Sequence, residues 1–213
     1  MQYRSLVAKN CIYGTFQPVK SQKQMKVQIE IPQRIEEIPL KRWQEYASLE
    51  DVDKENPVKA IAILSGISEK MVNKIPIRDL DRAAAAIIDA LGDTGRPLAK
   101  LYTMDGLKYG FEPELDKMSI GMLADVTRAF DDPSTWNKAL AILYRPVVRE
   151  TKHLGGLYAV ENYDADVPGF QERQEMFQDS PASLFAGVQA FFLRGISTFA
   201  NYIQVSTILA GKK

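Results

Sequence analysis

The sequence predicts an α+β fold, mostly α. Two pseudo-repeated halves pack together, each running strand or hairpin, helix, buried helix, long helix. The second half adds an extra β-hairpin. Three observations predict this. Lys59-Ala-Ile-Ala-Ile-Leu64 recurs as Lys138-Ala-Leu-Ala-Ile-Leu143, 79 residues on. Both segments are apolar almost all round, and a helix of that kind belongs in a core. Upstream, Leu40, Trp43 and Tyr46 match Ile120, Leu123 and Val126 at an offset of 80. Downstream, Met71 to Leu80 resembles Met176 to Phe185 at an offset of 105. The shared points are the methionine, the proline five residues on and the apolar residue four beyond it. The larger offset places an insertion between Tyr144 and Gly169. The competing explanation is chance recurrence of common apolar patterns.

The halves are bounded at 25–95 and 96–213, with the hairpin insertion at 145–170 and an N-terminal arm at 1–24. The arm mixes Lys9, Gly14, Pro18, Lys20 and Lys23 with scattered apolar residues, as an irregular arm or a frayed terminus does. Val27, Ile29 and Ile31 alternate, which is strand periodicity. A helix follows from Leu40 to Leu49, with Trp43 and Tyr46 facing inward. Glu50, Asp51, Asp53 and Glu55 form an acidic run whose spacing fits no calcium loop, so it reads as a solvated linker. Asn56-Pro57 caps the first buried helix, to Ser65, and Gly66 ends it. A short helical turn at Glu69–Lys74 leads to Pro76. Leu80, Ala83, Ala84, Ile87, Ile88 and Leu91 then lie on one face of an amphipathic helix that Gly92 and Gly95 stop.

In the second half, Asp105-Gly106 is a strong hairpin turn between Leu101, Thr103 and Leu107, Tyr109, Phe111. Met118 to Phe130 is a helix with Ser119 as N-cap. Asp132-Pro133 opens the second buried helix, which runs to Tyr144, and Pro146 ends it. Ser180-Pro181 opens the longest helix, with serine as cap and proline at its first position. Its stripe includes Leu184, Val188, Phe191, Phe192, Phe199 and Ile203. Gln189, Arg194, Asn201 and Gln204 interrupt the stripe well short of the ~20 apolar residues of a membrane span. It is a core helix or a surface for self-association.

Composition narrows the function. The 27 basic and 27 acidic residues cancel, so the basic excess of a nucleic-acid footprint is missing. Cys11 is the only cysteine and His153 the only histidine, which rules out an internal disulfide framework and leaves little for zinc. Met1-Gln2-Tyr3-Arg4-Ser5 lacks the apolar run of a signal peptide. The chain has no glycine-rich phosphate loop, no GxSxG elbow and no HExxH pair. The expectation is a chain without catalytic residues, cofactor or metal. An enzyme of unknown type is the weaker alternative.

The insertion is the least generic part. Val147–Leu154 and Leu157–Tyr163 flank Gly155-Gly156, a second hairpin signature. It carries Arg149, Lys152, His153, Tyr158 and Tyr163, the candidate partner-binding residues. An extension on a rigid scaffold is a natural place for contacts. The alternative is a hairpin that merely completes the sheet. His153 by itself reads as an exposed strand residue.

The run Ala139-Leu-Ala-Ile-Leu-Tyr-Arg-Pro-Val147, the charged hairpin ending at Tyr163-Asp164, Met176-Phe-Gln-Asp-Ser-Pro181 and the aromatic Ala190-Phe-Phe-Leu193 resemble a recurrent family of tailed-bacteriophage morphogenesis proteins, the uncharacterised or tail assembly chaperone-like group. Phe111-Glu112 followed by Met118-Ser-Ile-Gly-Met-Leu123, and the stretch Ile38 to Leu91, extend the likeness over roughly 25–205. These motifs are structural and bring no catalytic residue. The resemblance implies a virion assembly or structural protein (neck, connector or internal component) acting through protein–protein contacts. The alternative it implies is a non-virion chaperone that holds a tail or tape-measure protein. Expected partners are other phage structural proteins and further copies of the chain, with no nucleic acid and no membrane. The expected location is the host cytoplasm during assembly, with retention in the virion left open.

Overall fold

The computed structural model describes residues 11–14, 27–92, 97–112, 118–150 and 157–192. It opens with an antiparallel pair, β1 (Cys11–Gly14) and β2 (Val27–Glu30). The arm expected to be irregular therefore contains a strand. Cys11-Ile12-Tyr13 holds β-branched and aromatic residues that favour a pleat, and β2 supplies the partner. A 3₁₀ turn at Ile35–Glu37 leads to α1 (Leu40–Ala47). The acidic run is not only a linker: α2 (Asp51–Lys54) is one turn of helix, and Lys59 pairs with Asp53 at 2.5 Å. The first hexamer lies in α3 (Pro57–Ser65), where the Asn56 side chain accepts the Val58 N–H. Gly66 closes α3 in the left-handed conformation, φ 69°.

Next come α4 (Glu69–Val72) and α5 (Ile77–Gly92). The predicted face of α5 turns to the core: Ala83 and Ile87 are buried and Leu80, Ala84 and Leu91 are half-buried against the same cluster, with Ile88 as the exception. Ile88 is 68% exposed and Ile77 77% exposed.

The hairpin β3 (Leu101–Met104) and β4 (Leu107–Phe111) turns at Asp105 and Gly106, both with positive φ, 50° and 79°. That is the twist-compatible two-residue turn that Asp-Gly favours. Then follows α6 (Ile120–Asp131), capped as expected by Ser119, whose hydroxyl accepts the Met122 N–H. A 3₁₀ turn at Pro133–Thr135 leads into α7 (Trp136–Leu143), buried on every side.

The helix predicted to reach Tyr144 stops at Leu143, and Pro146 does not simply end it. Tyr144 and Pro146 belong to β5 (Tyr144–Glu150). A residue before proline is disfavoured in the α region, so Arg145 already commits the chain to an extended path. β5 pairs with β4 and with β6 (Tyr158–Val160), giving the sheet order β3-β4-β5-β6. The insertion thus forms a hairpin that completes the sheet.

A helix without an apolar stripe in its sequence, α8 (Phe170–Gln178), follows. The last described helix, α9, covers 182–192. Its start differs from expectation. Pro181 lies in an isolated antiparallel bridge with Pro39, and the Ser180 hydroxyl donates to the Phe177 carbonyl rather than capping α9. The predicted stripe beyond 192 lies outside the described residues. Among the described residues no helix is long and apolar enough to cross a membrane.

Both halves run through hairpin, helix, buried helix, short helix and longer helix. Each builds a hydrophobic cluster. The first holds Ile35, Ile38, Ile61, Leu64 and Val72 and borrows Ala182 and Ala186 from α9. The second holds Phe111, Leu140, Leu143, Phe177 and Phe185 and borrows Leu40 from α1. Trp43 sits at the junction, its ring edge-on to Trp136 at 5.0 Å and to Phe185 at 5.9 Å. Polar groups close the same seam. The buried Gln44 amide donates to the Asn137 side-chain oxygen (3.1 Å) and the Pro133 carbonyl (2.9 Å). Asn137 in turn donates to the Gln174 carbonyl at 3.0 Å, tying α1, α7 and α8 together. Buried amides satisfied in this way fix one arrangement of the halves.

Candidate functional site

The sheet positions the candidate surface. Its inner face lies on α8, where Phe177 contacts the rings of Tyr102, Tyr109 and Tyr144. On the other face, Gly110 leaves room for β6: a Cβ there would collide with the Tyr158 ring and with Val160. The Tyr158 hydroxyl donates to the Phe111 carbonyl at 2.6 Å and also lies 2.8 Å from the Lys100 carbonyl. Tyr158 therefore locks β6 onto the sheet.

Below β6, two buried arginines brace the structure. Arg145 reaches Glu112 at 3.6 Å, and Arg173 reaches Glu161 at 3.5 Å while its guanidinium lies over the Phe170 ring. Neither Nε has a hydrogen-bond partner among the described residues. Burial pulls the Arg145 guanidinium below its ordinary value, with the Glu112 charge acting in the opposite sense. These contacts hold the chain where it leaves β4 and β6.

The outer end of the sheet is different. Two residues beyond the Tyr109–Pro146 pair stand Leu107 on β4 and Val148 on β5. Leu157 stands just before Tyr158, which pairs with Glu150. Leu107, Val148 and Leu157 are 57%, 66% and 63% exposed. An ion pair between Lys108 and Glu150, 2.6 Å, crosses the same end. Three large apolar side chains are thus left in water at one end of a braced sheet.

The five residues singled out from the sequence divide. Arg149 is exposed on β5 opposite Ala159, next to Val148. Lys152 and His153 lie outside the described residues. Tyr158 and Tyr163 are partly buried, and their hydroxyls act inside the chain. Tyr163 donates to Asp125 at 2.7 Å, which fastens the segment after β6 to α6. Leu107, Val148 and Leu157 were not on that shortlist. One signal was available: in adjacent Val147 and Val148, strand alternation cannot bury both.

The tyrosines make the fold sensitive to alkali. Tyr102, Tyr109, Tyr144, Tyr158 and Tyr163 all have hydroxyls held above the ordinary phenol value, each chiefly by burial. Nearby Asp125 adds to the effect at Tyr163. A raised folded-state value means that the fold holds the neutral phenol. That stability is complete below the unfolded value of about 10 and is lost as pH rises through the folded values. Tyrosinate absorbance is expected to rise together with loss of circular dichroism above about pH 10. All nine tyrosines ionising freely while the fold persists would contradict this packing.

Two concavities lie elsewhere on the surface. One, about 690 Å³, is lined by Lys138 and the Ala165–Gln174 segment. The other, about 480 Å³, surrounds Arg42 where its guanidinium crowds Gly66. Among the described residues no group of three or more His, Cys, Asp or Glu side chains is placed to hold a metal. No family model, curated protein or solved structure matches the chain.

Proposed function

We propose that the chain works without a catalytic step, as a bacteriophage virion assembly or structural protein that acts through protein–protein contacts. The observation that carries this reading is the exposed apolar end of the sheet, Leu107, Val148 and Leu157, held on a braced hairpin. The resemblance of its motifs to those of tailed-phage morphogenesis proteins is in keeping with this reading, since several of these motifs fall on elements that hold this surface: Phe111-Glu112 on and just after β4, Tyr144–Val147 on β5 and Tyr163 after β6. The partner is a phage structural protein offering an apolar patch with charges able to meet Arg149, Lys108 and Glu150. A non-virion chaperone would use the same surface on a tail or tape-measure protein before assembly.

Removing the hairpin outright is a poor test, because Tyr158 and Glu161 hold the fold as well. Point changes at the exposed end separate the two roles. Val148→Asp with Leu157→Asp is expected to leave thermal unfolding unchanged, since both side chains are already in water. The same pair is expected to abolish co-purification of virion proteins from phage-infected cells. Undiminished capture by the folded double variant would reject this surface.

A further inference from the structure

We infer that the chain self-associates head to tail, with the exposed face of α6 from one copy docking beside the N-terminus of α5 in the next. The inference stands on the internal repeat and does not depend on the phage reading. Several residues equivalent in the repeat share their burial within the body of each half. Ile61 and Leu140, Leu64 and Leu143, Val72 and Phe177, Ala83 and Val188, and Ile87 and Phe192 are all buried.

The equivalence fails where the halves meet. Leu40 is 0% exposed, but its counterpart Ile120 is 88% exposed. Gln44 is buried, while Ala124 is exposed. On the receiving side, Ala182 is 0% exposed, but its counterpart Ile77 is 77% exposed. Ala186 is buried and Asp81 exposed. The first half thus offers its α1 face to the second, and the second offers its α9 face in return. The matching faces, around Ile120 on α6 of the second half and Ile77 on α5 of the first, are left exposed among the described residues.

These uncovered faces suit each other by the chain's own example. Ile120, Leu123 and Ala124 share one side of α6, as i, i+3 and i+4 positions do. Leu123, 46% exposed, takes the place of Trp43, which lies between Trp136 and Phe185. The counterparts of Trp136 and Phe185 are Pro57, which is exposed, and Leu80, which is half-buried. A second copy therefore presents a place for Leu123 between Pro57 and Leu80, with Ile120 against Ile77. The two faces are different surfaces, so the contact is heterologous and builds a ring or an open filament rather than a simple twofold dimer.

The test uses the full chain in sedimentation velocity over a range of concentrations. Wild type is expected to form species larger than a dimer. Ile120→Asp and Ile77→Asp are each expected to give folded monomers with unchanged melting. A mixture of the two variants has one intact pair of faces and is expected to give a two-chain complex and nothing larger. A wild type that stays monomeric at every concentration overturns the inference. So does either variant assembling like wild type, or a mixture that stays monomeric. A lowered melting temperature for Ile120→Asp in a monomeric wild type would mean that the chain covers its own face, and would overturn it equally.

Discussion

Phe177→Ala is expected to lower the unfolding free energy by about 3–5 kcal/mol, the range for truncating a buried phenylalanine. For a chain of this size that corresponds to a fall of roughly 6–20 °C in Tm. Phe177 is 0% exposed and lies against the rings of Tyr102, Tyr109 and Tyr144. It joins α8 to three strands of the sheet. The void would open among rigid aromatic rings that cannot easily collapse into it. Thermal denaturation followed by circular dichroism checks the value. A loss below about 1 kcal/mol would place Phe177 outside a tight core.

Leu40→Ala is expected to cost about 2–5 kcal/mol, while Ile120→Ala changes stability by no more than about 0.5 kcal/mol. The two residues match in the sequence repeat and differ in what covers them. Leu40 enters the cluster of the opposite half, next to the Pro39–Pro181 bridge, where the Leu40 N–H donates to the Ser180 carbonyl at 2.7 Å. Ile120 faces water. Denaturant unfolding of both variants, below the concentration at which copies associate, measures the contrast. Equal costs would show that the halves do not meet through α1.

Much of this architecture was legible because it rests on local chemistry. Asn56-Pro57, Ser119 and Gly66 mark helix ends through the hydrogen bonds and φ values that such positions require. Asp105-Gly106 needs two positive φ angles and takes them. The hexamers could be read as buried helices because they carry almost no polar face. What escaped was decided by long-range packing. Gln44 reads as a surface residue until Pro133 and Asn137 arrive from the other half. Ile88 reads as core, yet it stands 68% exposed at the edge of the buried stripe of α5. α8 was missed because Phe170, Arg173 and Phe177 are its buried residues in an otherwise polar stretch, and the strength of that face comes from the aromatic sheet above it.

The candidate surface was half legible for the same reason. The Gly155-Gly156 signature located the hairpin. It could not tell which of its side chains the fold would use. Tyr158 and Tyr163 look like partner anchors in the sequence, but Gly110 and Asp125 make them internal ties. The apolar residues left exposed are Leu107 and Val148, which share their strand faces with buried Tyr109 and Tyr144 but lie farther out along the sheet, and Leu157.

The most direct measurement of the assembly role is quantitative mass spectrometry of phage particles purified from the source culture, set against the lysate they came from. The chain is expected in the particles at a copy number fixed relative to the capsid, as for a neck, connector or internal component. Presence in the lysate bound to a tail or tape-measure protein, with none in particles, would move the role to an assembly chaperone. A chain found with neither particles nor assembly intermediates would contradict the proposal.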